Sequence, residues 1–159
     1  MGANALTGDI IFDIIHGLRY LIDTCVLVSA LRSKNGASHL VLQRVLDGQL
    51  PIVMHYKLLM EYWDVLTRPT MRPGLVHTDL ELERILAALV AIAEDVTVRY
   101  LWRPNLRDEK DNFLLEIAIA AQPSTIITHN VRDFGSGDLR FPGVMIKRPQ
   151  DVLTEGFQS

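Results

Sequence analysis

Apolar positions along this chain follow two spacings. Short unbroken runs at 20–22, 50–54, 96–98, 125–128 and 144–146 read as buried strands, and 125–128, β-branched and flanked by turn residues, is the best central one. Between these runs the apolar residues recur three and four apart, the spacing of a helix with one buried face. Residues 26–31 start a helix directly after Asp23, and Ser38 can cap another that carries Leu40, Val41 and Val45 to about Leu46, closed by Gly48. Residues 55–67 place Leu58, Leu59, Tyr62, Val65 and Leu66 on one side and stop at Pro69. Thr78 and Glu81 form a T-x-x-E capping box that opens an amphipathic helix through Ala93. Asp111 or its neighbour begins a strongly apolar helix, FLLEIAIAA, ended by Pro123. Residues 135–142 read as loop and 149–157 as a terminal helix with Pro near its first turn.

Strands alternating with helices predict an α/β domain of three layers, α/β/α, around a central, mainly parallel sheet. The domain is expected to span 19–159. Residues 1–18 are read as a loosely defined extension, either a short amphipathic helix around 10–15 or the product of an upstream start. Its apolar run has no basic leader and is interrupted by Asp13, so it makes a poor signal peptide, and Leu6 stands where a myristoylation signal needs Ser or Thr. No apolar stretch approaches the about 20 residues needed to cross a bilayer, so no membrane partner is expected.

Composition narrows this only a little. Apolar residues at 48% and charged ones at 22% are ordinary for a globular protein and exclude a long disordered chain. A net charge of −3 does not by itself announce a nucleic-acid binder, although a basic face can be offset by acids elsewhere. The single cysteine, Cys25, permits neither an internal disulfide nor a Cys-based zinc site, which points to a reducing, cytoplasmic location.

The placement of the acids says more. In an open parallel sheet the functional crevice lies beyond the carboxyl ends of the strands. Asp23 follows its strand directly and reads either as the N-cap of the next helix or as a site residue. The segment THNVRDF delivers Asn130 and Asp133 to the same edge. Glu61 lies three residues after Leu58 and four before Val65, on the apolar side of its helix, where a carboxylate needs a cation or an Arg partner such as Arg99 or Arg103. In RDEKDNF, Asp108 and Asp111 precede the apolar helix as caps, dipole partners or ligands. Glu116, inside that helix, reads as a surface or paired residue. Carboxylates within ~5 Å repel by more than about 1 kcal/mol per pair, so a convergence of Asp23, Glu61, Asp111 and Asp133 invites a cation, and all-oxygen ligands select Mg²⁺ or Mn²⁺.

In this order LIDTCVLVSAL, the inward Glu61 before VLTRP, RDEKDNFLLEIAIAA and IITHNVRDF resemble the motifs of PIN-domain ribonucleases, most of all the toxin components of bacterial toxin–antitoxin pairs. The resemblance implies a metal-dependent endoribonuclease that cleaves single-stranded RNA, with Asp23, Glu61, Asp111 and Asp133 holding one or two Mg²⁺ or Mn²⁺ ions. It places Thr24, Thr128 and Asn130 around the site and leaves Asp108 as the rival of Asp111. Asp111 is preferred because it directly precedes the apolar helix. Cys25 stands where an Asn is common in the family, and Asn130 where many members have another acid.

The resemblance also implies an antitoxin partner that puts a helix or an Arg into the acidic pocket. A homodimer through the stripe of the 78–93 helix is an alternative use of a face that the core also explains. Arg32, Lys34, Arg68, Arg72, Arg99, Arg103 and Arg107 are available for phosphates, and Trp102 or Tyr62 for a base. His129, between two site candidates, is expected to face the other way by strand alternation. The rival from another class is a catalytically inactive PIN-like module that binds RNA or protein. A phosphorelay receiver lacks its acidic pair here, a haloacid-dehalogenase-like phosphatase lacks its second Asp because Cys25 occupies that position, and no dinucleotide or P-loop motif is present.

Overall fold

The computed structural model describes residues 17–98, 109–135 and 141–155. Strand β1 (Arg19–Ile22) leads into α1 (Thr24–Arg32) and α2 (Ala37–Leu46), and β2 (Val53–Met54) into α3 (Tyr56–Thr67) and α4 (Asp79–Ile92). Then follow β3 (Glu94–Asp95), α5 (Glu109–Ala120), β4 (Ser124–Ile127), α6 (Val131–Phe134), β5 (Val144–Lys147) and α7 (Pro149–Glu155). Each strand is thus followed by helix, the connection that parallel pairing requires.

β4 lies at the centre of a parallel sheet of order β1-β4-β5, in register Ile22↔Ile127 and Ile127↔Lys147. β2 and β3 form a second parallel pair, joined to β1 by the bridge Tyr20↔Ile52 and the Tyr20 N–H to Pro51 C=O bond of 2.8 Å. All four residues of β4 are buried, which explains why the strand reads as an unbroken apolar and β-branched run rather than an alternating one. Helices α1, α2, α3, α4 and α7 pack on one another, whereas α5 lies on β4 and α6 against α5 and β5, giving the α/β/α layering.

The core joins β1 and β4 to one face of each long helix: Val26, Leu27 and Ala30 of α1, Leu58 and Leu66 of α3, Leu82, Leu86 and Leu89 of α4, and Leu114 and Ile117 of α5. The Thr78 capping box forms as its sequence predicts. Elsewhere the elements differ from expectation in instructive ways. Gly36, not Ser38, caps α2, because Ser38 is buried with its Oγ 3.2 Å from His129 Nε2 and cannot turn back to its own helix. β3 lies at Glu94–Asp95 instead of 96–98: pairing is dictated by β2, and the buried Val96 only supplies one further N–H, to Met54 C=O at 3.1 Å. Glu116 is buried and partnered, which keeps the paired one of its two readings and removes the surface one. The expected helix at 10–15 lies outside the described residues.

Candidate functional site

Parallel strands bring their carboxyl ends to one edge of the sheet, and the β1–β4 register puts Asp23 and Thr128 side by side there. The Asp23 N–H extends the ladder to Ile127 C=O at 3.0 Å. Asp23 occupies the N-cap of α1 with extended backbone (φ −65°, ψ 146°), yet its carboxylate makes no capping bond. Instead, Thr128 Oγ1 donates to Asp23 Oδ2 at 2.6 Å and Cys25 Sγ approaches the same oxygen at 3.4 Å. The alternative of a plain helix cap therefore leaves the Asp23 side chain unexplained. Thr128 is fully buried and also accepts the Asn130 N–H at 3.0 Å, so three of the expected site residues form one relay from Asn130 through Thr128 to Asp23. Burial, and after it the neighbouring Asp23 charge, pushes the Cys25 thiol up to about 11, which keeps it a protonated donor at neutral pH. Thr24 is buried at 8% exposure, and its Oγ1 has no hydrogen-bond partner among the described residues.

α3 is fixed to this edge from the other side. Tyr62, 2% exposed, donates its hydroxyl to Ile22 C=O, one residue before Asp23. That hydroxyl is raised well above the usual tyrosine range by burial first and then by the charges of Asp23 and Glu61. Glu61 lies on the flank of α3, its side chain 23% exposed, with Lys110 Nζ 3.8 Å from Oε1. Among the described residues a counter-ion of Glu61 is thus the lysine from the first turn of α5; Arg99 and Arg103, the expected partners, lie outside the described residues. Asp111, half-buried, is the next residue along that turn. α5 begins at Glu109 rather than at Asp111, so Asp111 sits inside the first turn, where the positive end of the helix favours a carboxylate. Asp108 lies outside the described residues. Asp133 is exposed on α6, with its N–H on Asn130 C=O at 3.1 Å.

Asp23, Thr128, Asn130 and Cys25 are therefore directly bonded, and the Tyr62 and Lys110 contacts draw Glu61 and the start of α5 towards them. Asp133 follows on the chain, linked to Asn130 through its backbone N–H. Oxygen ligands of this kind suit a hard ion, and Asp23 keeps Oδ1 clear of both donors on Oδ2. Spacing is another matter: among the described residues no three His, Cys, Asp or Glu side chains stand close enough to hold a metal ion.

One strand over is a second group. The parallel Tyr20↔Ile52 bridge sets β2 beside β1, so His55, which follows β2, leaves the same edge of the sheet as Asp23, which follows β1. His55 caps α3, its Nδ1 accepting the Lys57 N–H at 3.2 Å. Its ring meets Phe113 of α5 edge-on (5.3 Å, 70°) and Tyr56 in a tilted contact (4.8 Å, 32°), while Lys57 Nζ stands 5.4 Å above the Phe113 ring. Tyr56 is 66% exposed. Tyr62 cannot stack on a base, being buried by the same helical spacing that marks it as apolar, and Trp102 lies outside the described residues. Tyr56 is the aromatic the sequence pattern passes over. Its one signal is the position just after a strand end and a histidine cap.

Burial, then Lys57, lowers the pKa of His55 below 6.5, against an opposing pull from Asp95. The unfolded chain thus binds the proton more readily, and this contribution to stability is present above about 6.5 and lost as pH falls through the folded value. Protonation also removes the cap acceptor. We expect the melting temperature to fall on acidification below about 6.5, and His55→Asn, which keeps a capping side chain, to flatten that fall. Differential scanning fluorimetry from neutral pH downward checks this; an equally steep fall in the variant would assign it to another group.

Among the basic residues, Arg68 pairs with Asp64, Arg72 with Asp79, and Arg32 donates to Met71 C=O at 3.0 Å. Lys34 is exposed, and Arg99, Arg103 and Arg107 lie outside the described residues. His129 is exposed and directed to Ser38 rather than to Asp23.

A family model described as PIN domain matches residues 19–132, well over half of the 159-residue chain. The match opens on the first residue of β1 and closes inside α6, one residue before Asp133. No curated protein and no solved structure gives a significant match.

Proposed function

The chain belongs to the PIN-domain family, whose members are generally nucleases, and on that premise we propose that it is a divalent-metal-dependent endoribonuclease of single-stranded RNA. The observation that carries this is the use made of Asp23. Its carboxylate is withheld from the helix cap and held by Thr128 and Cys25 at the carboxyl edge of the sheet. Two donors on one oxygen hold the side-chain rotamer and leave the other oxygen to neither of them. Asp23, Glu61, Asp111 and Asp133 would be the ligands, with Thr24, Thr128 and Asn130 lining the site and Asp108 the rival of Asp111. Mg²⁺ or Mn²⁺ bound there would supply Lewis-acid polarisation of a phosphodiester and a more acidic water. Within the protein itself, Thr128 and Cys25 orient Asp23, Tyr62 ties α3 to the end of β1, and Lys110 offsets the charge of Glu61.

The proposed context is the toxin of a toxin–antitoxin pair, in the cytoplasm, with an inhibitory protein partner. Among the described residues no helix is long and apolar enough to cross a membrane. A second reading, a PIN-like module that binds RNA or protein without cutting, is favoured by one observation: Glu61 already has Lys110 beside it, and among the described residues three carboxylates are not gathered.

Metal add-back separates the two. Protein dialysed against EDTA is expected to leave end-labelled single-stranded RNA intact, and added Mn²⁺ or Mg²⁺ to restore cutting and raise the melting temperature, since an ion that binds only the folded state stabilises it. RNA bound but uncut with either ion would establish the binding module instead. Cutting unaffected by EDTA would remove the metal from the proposal.

A further inference from the structure

Beside the acidic edge the structure holds an exposed aromatic group that the proposed chemistry does not use. Tyr56 opens α3, 66% exposed, with its ring against His55, which is itself buttressed edge-on by Phe113 of α5. Lys57 stands over Phe113, and Lys110 beside Glu61. The group spans the starts of two helices at the same sheet edge as Asp23, since the Tyr20↔Ile52 bridge runs β2 parallel to β1 and His55 and Asp23 each follow the carboxyl end of their strand. A ring propped from behind loses little freedom when something covers it. The Lys57 cation in this group matches a polyanion better than the apolar counter-face of a protein interface.

We propose that Tyr56, backed by His55, which Phe113 buttresses, and followed by Lys57, is a stacking platform for one unpaired base of the RNA whose phosphates run to the Asp23 edge. This rests on the ribonuclease proposal and adds to it a reason for single strands: in a duplex both faces of each base are already stacked and unavailable to a side chain. Stacking accepts any base, so the platform contributes affinity and placement with little sequence preference. Lys57 contributes a phosphate contact and hence salt dependence.

The test measures binding of a short fluorescein-labelled single-stranded RNA by anisotropy, with wild-type protein in EDTA and with Asp23→Asn protein in Mn²⁺, so that the probe stays uncut. Tyr56→Ala is expected to weaken binding about 5-fold to 150-fold and Tyr56→Phe to restore it to within about twofold. Inorganic polyphosphate, a polyanion without bases, should bind Tyr56→Ala as it binds wild type. Lys57→Gln should weaken both probes and lower the salt slope for RNA by about 0.7. RNA binding by Tyr56→Ala equal to wild type would overturn the platform and leave the nuclease proposal standing. Equal weakening of RNA and polyphosphate by Tyr56→Ala would overturn stacking. A change of sedimentation in Tyr56→Ala with RNA affinity unchanged would assign the ring to a protein interface. Absence of RNA binding both by wild-type protein in EDTA and by Asp23→Asn protein in Mn²⁺ would overturn the nuclease proposal and the platform together.

Discussion

Asp23→Asn is expected to cut single-stranded RNA in Mn²⁺ about 100-fold or more slowly than wild type, without loss of fold. Asn has nearly the shape of Asp and can still accept the Thr128 hydroxyl, which at 2.6 Å lies closer to the carboxylate than the Cys25 thiol does. What disappears is the charge. Removing an outer residue that only steadies a metal ligand typically costs 10–100-fold, about the floor for removing the ligand itself. Circular dichroism and a melting curve on the same preparation should show native structure, because the β1–β4 ladder runs through the Asp23 N–H rather than through its side chain. Cleavage that continues in the variant at the wild-type rate would mean that Asp23 is no ligand or that the activity belongs to a contaminant.

The largest effect on stability should come from Ile126→Ala. Ile126 is fully buried in the middle of the central strand, paired with Leu21 on one side and Ile146 on the other. Truncation removes buried methylenes and leaves a cavity that the flanking strands cannot close without breaking their ladders, for about 2–5 kcal/mol. Against a total of about 5–15 kcal/mol this is a large share. It corresponds to a fall in melting temperature of roughly 4–20 °C for a chain of this size. Leu80→Ala, at 55% exposure on α4, is the control and should change stability by no more than about 0.5 kcal/mol. Urea unfolding of both, with unchanged slope against denaturant, measures it. Equal effects at the two positions would contradict the central placement of β4.

Much of this architecture was legible along the chain wherever a local rule and a tertiary demand agreed. The Thr78 capping box, the helix after His55 and the fully buried β4 are such cases, each marked by a few adjacent residues. β3 was not, because a two-residue strand is defined by its neighbour's register and leaves no periodicity of its own. Nor was α6, a four-residue helix too short to show a face. At the site, the individual acids could be picked out from their positions after strands or on the apolar flank of a helix. Their partners could not. Lys110 is exposed and lies on a different helix from Glu61, so no spacing relates them, and the bond between Cys25 and Asp23 is visible only once the Asp23 side chain is known to turn from its own helix towards Thr128. Tyr56 went unnoticed because exposure of an aromatic at a first helical turn follows from the direction in which the helix leaves the sheet.

The hydrogen bond from Thr128 to Asp23 joins residues 105 positions apart. A nascent polypeptide displays Asp23 to the cell long before the strand that steadies it has been translated. Whatever this edge does, it does only after β4 has been made, and a prematurely terminated fragment ending before β4 would carry the first acid with nothing to aim it.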